Sequence, residues 1–150
     1  MCIRDRGFVA WFCIACALDK RIRIFGNGKQ VRDLLYIDDA VNAIDLAIEY
    51  IDKITGESIN IGGGKENAVS LLELIDYLRL ISNKPITVTF EKWREHDVKC
   101  FYTDYERARR LLGWKPKVDW REGVKRTYQW VIDNLSAISK IYQSLKMTCQ

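Results

Sequence analysis

The hydrophobic period of this chain switches repeatedly between two and 3.6, which restricts it to short strands alternating with amphipathic helices. Arg21-Ile22-Arg23-Ile24-Phe25 alternates polar and apolar side chains as a half-buried strand does, and Gly26-Asn27-Gly28 turns the chain after it. Asp33-Leu34-Leu35-Tyr36-Ile37 reads as a second short strand. It runs into Asp38-Asp39, where a carboxylate can accept hydrogen bonds from the free N–H groups of the next helix. In that helix Val41, Ile44, Ala47, Ile48 and Ile51 recur at spacings of three and four, predicting one apolar stripe ended by Thr55-Gly56.

Ser58-Ile59-Asn60-Ile61 reads as a strand entering Gly62-Gly63-Gly64, and Ser70-Leu71-Leu72-Glu73 has capping-box spacing for a helix start. A strand is expected over 86–90, then a helix over 104–112 that Gly113 can end in the left-handed conformation. A final long helix starts near Asp119, with Val124, Tyr128, Val131 and Leu135 on its buried face. The apolar run over 7–18 has helical character but no cap and no preceding strand. Residues 1–6 read as a non-native leader, 7–135 as one α/β unit, and 136–150 as a polar tail, frayed or weakly helical. Four or five strands in this irregular order do not complete a doubly wound sheet, so a piece of a larger fold is expected.

Charge and cysteines narrow the chemistry. Lys and Arg number 24 against 20 Asp and Glu, an excess that favours anionic ligands without demanding a nucleic-acid partner. No stretch approaches the roughly 20 apolar residues of a membrane-spanning helix, and the chain is expected to be cytoplasmic. The five cysteines are irregularly spaced, which argues against a disulfide framework. Cys13 and Cys16 form a C-x-x-C inside an apolar run, read either as buried small hydrophobes or as redox or metal chemistry. A zinc site lacks a second ligand pair because His96 is the only histidine, so no metal is expected. His96 could act as a general base, but no partner for it is evident. Trp93, Trp114, Trp120 and Trp130 sit within helical periods or beside Pro116 and are read as core rather than as a base-stacking face.

Three further features could touch a ligand. Gly62-Gly63-Gly64 is either a tight structural turn or a turn that lets a ligand approach, and it is not a G-x-G-x-x-G fingerprint. Arg32, between a glycine turn and a short strand, is either half of a surface pair with Asp33 or a guanidinium held at a pocket wall. Arg94, in Trp93-Arg94-Glu95-His96-Asp97, could converge with it on one diphosphate.

The block Gly26-Asn27-Gly28-Lys29-Gln30-Val31-Arg32-Asp33, followed by Tyr36-Ile37-Asp38-Asp39-Ala40, resembles the NAD-dependent epimerase/dehydratase family, the extended short-chain dehydrogenase/reductases. Asn60-Ile61-Gly62-Gly63-Gly64, the 93–97 loop, and Leu111-Leu112-Gly113-Trp114-Lys115-Pro116 leading to Glu122-Gly123-Val124 agree in order and spacing. The resemblance covers residues 7–135. It implies the C-terminal, substrate-binding part of an incomplete Rossmann-type fold, with Arg32 and Arg94 on the diphosphate of a nucleotide sugar. It also implies Asn60 and Asp97 as substrate contacts, a CDP-linked substrate, and a complete enzyme that can be a homo-oligomer. NAD in such an enzyme takes a hydride from a sugar carbon and returns it to the opposite face. The NAD turn and the Tyr-x-x-x-Lys pair of such enzymes lie upstream of the resembling region, so the resemblance assigns no catalytic residue here. Tyr50-Ile51-Asp52-Lys53 has the wrong spacing. Relatives carry Arg-x-Gly-Asp or Arg-x-Gly-His-Asp in the loop, whereas Arg94-Glu95-His96-Asp97 has no glycine, and a differently shaped loop is expected.

Overall fold

A computed structural model of the chain describes residues 7–147; the leader assigned to residues 1–6 lies outside them. The elements in order are α1 (Phe8–Ala17), β1 (Ile22–Phe25), β2 (Val31–Asp33), α2 (Ile37–Glu49), α3 (Ile51–Ile54), β3 (Ala68–Ser70), α4 (Leu71–Ser82), β4 (Val88–Glu91), α5 (Glu106–Leu112), α6 (Trp120–Asp133) and α7 (Leu135–Met147). β1 pairs in parallel with β4, with Ile24 opposite Phe90, and β2 pairs antiparallel with β3, with Arg32 opposite Val69. The fold is α/β, with its described strands in two small sheets.

Several elements follow their local sequence closely. Ser70 caps α4 by accepting from the Glu73 backbone N–H at 3.2 Å, while the Glu73 carboxylate accepts from the Ser70 N–H at 2.8 Å. Two of the free donors at that helix start are thereby satisfied. Gly113 ends α5 at a φ of 64°, and Asp119 caps α6 through the Arg121 N–H. Val124 and Val131 of α6 are buried, with Tyr128 and Leu135 packed beside them.

The core forms where α1, β1, α4 and α6 meet. Cys13, Ile22, Leu74, Leu78 and Val124 are almost wholly enclosed there. A second cluster joins Ala43 of α2 to Ala108, Leu112 and Trp114, and the Trp114 indole N–H donates to the Asp39 carbonyl at 2.9 Å.

Other expectations are corrected. β2 starts at Val31 and ends at Asp33, because its partner β3 ends there and the Asp33 side chain turns away to other donors. Ile37 accordingly opens a helix. Asp39 does not cap α2: its carboxylate is buried and accepts from the Lys117 and Val118 N–H groups at 3.0 and 2.9 Å. The segment 58–61 forms no strand, since no described strand lies beside it to complete the pairing. α2 forms as its periodicity predicts, but its isoleucine stripe faces outward. Trp114 and Trp120 are core, whereas Trp130 is exposed because Val124 and Val131 occupy the inward face of α6. The stretch read as a polar tail is helical to Met147, and Leu135 and Ile138 pack on the core. No helix among the described residues is long and apolar enough to cross a membrane, and none of their His, Cys, Asp and Glu side chains form a metal-holding group.

Candidate functional site

Two backbone pairings bring the distant arginines together. β4 runs beside β1 and ends with the Glu91 carbonyl accepting from the Gly26 N–H at 2.9 Å. The chain then crosses and returns along β2, where the Val31 N–H donates to the Lys99 carbonyl and the Phe101 N–H to the Val31 carbonyl. The 93–97 loop is therefore strung between the end of β1 and the start of β2. At that junction lies a cavity of about 530 Å³ lined by Arg32, Arg94 and Asp97.

Arg32 is held from two sides. One guanidinium nitrogen donates to the Val31 carbonyl at 2.7 Å and another to the Asp97 carboxylate at 2.9 Å. Both side chains are only a quarter exposed, which makes the pair better ordered than a surface ion pair. Its partner is Asp97 rather than Asp33. Alternation along β2 sends Arg32 toward the cavity and Asp33 the other way. There the Asp33 carboxylate accepts from the Gly64 and Thr103 N–H groups at 3.0 and 3.1 Å.

Arg94 is placed by stacking. Its guanidinium carbon lies 3.9 Å from the centre of the Phe25 ring, a cation–π contact that orients the group. Trp93 beside it lies over Gly26, where a Cβ would meet the indole at 2.6 Å. With a φ of 96°, position 26 requires glycine on both counts. Within the loop, His96 takes the left-handed conformation at a φ of 62°. Histidine is one of the few side chains enriched in that region. His96 is exposed and does not line the cavity.

Sequence reading missed other cavity residues. Arg21, just before β1, and Arg23 on it line the same hollow, so its lining holds four arginines and one aspartate. The alternation that marks the strand also puts them on one face, and that was the available signal. Gln30 is buried, its amide nitrogen donating to the Phe25 carbonyl at 2.7 Å while its oxygen finds no protein partner. Phe8, Trp11 and Tyr142 supply an apolar wall.

Asn60 is not brought to this cavity. It is exposed and precedes the glycine turn, which Asp33 ties to the opposite side of β2 from Arg32. The turn itself is a packed structural one. A side chain at Gly62, Gly63 or Gly64 would collide with Thr103, the Leu34 carbonyl or Tyr105. It therefore offers no phosphate cradle, and the described residues show no glycine turn leading directly into a helix that would fit NAD. Cys13 and Cys16 are free and buried. Burial, reinforced by Cys16, pushes the Cys13 thiol up to about 12, which suits a packing residue and not a redox nucleophile.

A family model described as GDP-mannose 4,6 dehydratase matches residues 9–127. The chain belongs to the NAD-dependent epimerase/dehydratase family. Over 131 residues it is 37% identical to the CDP-paratose 2-epimerase of Salmonella typhi, covering 84% of this chain and 39% of that protein. Identity to the UDP-glucuronate 4-epimerase of Thermodesulfobacterium geofontis is 36%, covering 82% of this chain and 37% of the relative. The crystal structure of a Bacillus cereus UDP-glucuronic acid 4-epimerase, in complex with UDP-glucuronic acid and NAD, superposes with a TM-score of 0.78. The identity is 36%, covering 88% of this chain and 41% of that one. This epimerase/dehydratase chain thus spans about two fifths of the length of the relatives it matches. One Tyr-x-x-x-Lys spacing does occur in it, from Tyr142 to Lys146, but α7 lies beyond the region matched by the family model.

Proposed function

We propose that this chain is the sugar-nucleotide-binding, C-terminal portion of a nucleotide-sugar epimerase acting on a CDP-linked sugar. The observation that carries the reading is the convergence of Arg32 and Arg94 on one positively charged cavity. A diphosphate presents several oxygen acceptors, and charge-assisted bonds to it contribute about 1.5–3 kcal/mol each. Asp97 serves it indirectly, holding the Arg32 guanidinium at a fixed angle. The similarity to a CDP-paratose 2-epimerase favours cytidine over other bases.

In this reading the chain's task is positioning. Arg32 and Arg94 grip the diphosphate while the sugar, tethered beyond it, presents its reacting carbon elsewhere; binding energy remote from the reaction serves to orient it. NAD and the proton-transferring pair belong to the remaining portion of the enzyme, and no residue of this chain is assigned to either. That portion also covers the exposed stripe of α2, which would otherwise leave Ile37, Val41, Ile44 and Ile48 in water. The chain alone is expected to bind and not to turn over.

A 4,6-dehydratase or a 4-epimerase is the rival, supported by dTDP-glucose 4,6-dehydratases at 30–35% identity and by the 4-epimerases above. Calorimetric titration with CDP-, UDP- and dTDP-sugars separates them. Preference for the CDP sugar, lowered about tenfold or more by Arg32→Ala or Arg94→Ala, supports the proposal. Equal affinities remove the CDP assignment, and unchanged affinity in both variants removes the clamp.

A further inference from the structure

We infer that α7 completes the binding site, with Tyr142 and Trp11 forming the wall on which the nucleobase stacks. The inference rests on the proposed nucleotide-sugar reading and extends it to Tyr142, outside the region matched by the family model.

The cavity has two chemistries. Its lining combines four arginines with Phe8 and Trp11 of α1 and Tyr142 of α7. Its volume of about 530 Å³ lies within the usual range of about 300–1,000 Å³ for pockets that enclose a small-molecule ligand. A diphosphate alone satisfies only the arginines. The aromatic rings call for a flat, weakly polar group attached to the anion, and the base of a nucleoside diphosphate is such a group. Trp11 and Tyr142 are already stacked, with ring centroids 6.0 Å apart and planes 25° from parallel. Aromatic faces held in that way accept a third ring at no further ordering cost to themselves, and stacking tolerates any base.

α7 is fixed well enough to serve as a wall. It follows α6 after one residue, with the Asn134 N–H donating to the Trp130 carbonyl and the Ile138 N–H to the Asn134 carbonyl. Leu135, Ile138 and Tyr142 occupy one helical face, and the first two pack on the core. The third is thereby directed along the same face to Trp11. The serines and lysines interspersed in the tail hide this in its composition.

The test is calorimetry on the full chain with three probes: CDP, UDP and inorganic pyrophosphate. CDP and UDP should both bind more tightly than pyrophosphate. Tyr142→Ala should weaken both nucleotides roughly tenfold while leaving pyrophosphate within about twofold, and Tyr142→Phe, which keeps the ring, should restore nucleotide affinity. The inference is overturned if Tyr142→Ala leaves nucleotide affinity unchanged, or weakens pyrophosphate as much as CDP, which would mean that α7 only supports the cavity. If wild-type chain binds no pyrophosphate, the underlying diphosphate reading fails instead. Thermal unfolding of the Tyr142→Ala protein checks that α7 remains docked, and an unfolded variant passes the decision to Trp11→Leu under the same three probes.

Discussion

α4 and α2 are helices of 12 and 13 residues with comparable apolar stripes, yet the protein treats them in opposite ways. α4 buries Leu74, Ile75 and Leu78 almost completely and begins with a reciprocal cap. α2 leaves Ile37, Val41, Ile44 and Ile48 between 48% and 67% exposed, buries little besides Ala43 and Asp39, and has no side-chain cap. α2 is anchored by its other sides: the Asp39 carboxylate holds the 117–118 backbone, the Asp39 carbonyl holds Trp114, and Ala43, Leu46 and Ala47 pack on the second cluster. A helix can therefore be fixed along one face while its isoleucine stripe is left uncovered, and that stripe reports that a partner surface is needed without saying where it is.

Substitutions on the two stripes give the largest contrast. Leu78→Ala should cost about 2–5 kcal/mol in denaturant unfolding, from lost transfer energy and the cavity left behind. Ile48→Ser on α2 should change stability by less than about 0.5 kcal/mol and reduce self-association in sedimentation experiments. A large loss at Ile48 would mean that the stripe is covered within this chain. Next in size, Asp39→Ala should destabilise by about 2–3 kcal/mol, because two backbone N–H groups lose a buried charged acceptor. An effect at the scale of a surface substitution would show that α2 is anchored elsewhere.

The smallest effect concerns the cap. The Ser70 hydroxyl, then the Ser70 N–H, hold the Glu73 carboxyl below its ordinary range. A depressed folded-state value means that the ionised cap stabilises α4 above the ordinary carboxylate range, and this contribution is lost as pH falls through the depressed value. Ser70→Ala should cost about 1 kcal/mol at neutral pH and flatten that acid limb in pH-dependent unfolding. An unchanged limb would assign it to other carboxylates.

These contrasts also explain what could be read from the chain beforehand. The Ser70–Glu73 cap, the Gly113 stop and the inward face of α6 depend on residues within one or two turns of each other, and local chemistry fixes them. The meeting of Arg32 with Asp97 was not anticipated, since it depends on β4 lying beside β1 and on the return of the chain along Val31. Asp39 was misread because the donors it serves lie at 117 and 118, far along the chain. Asn60 was assigned to the site by motif position, whereas alternation on β2 separates the glycine turn from the arginine side. Tyr142 escaped notice because the stretch from Ser136 was read as a polar tail, although Ile138 and Tyr142 continue the spacing of Leu135.

A crystal structure of this chain grown with CDP tests the central claim most directly. Diphosphate oxygens within about 3.2 Å of guanidinium nitrogens from both Arg32 and Arg94, in the cavity walled by Asp97 and Phe25, are the predicted result. A nucleotide bound elsewhere, or touching neither guanidinium, would contradict it.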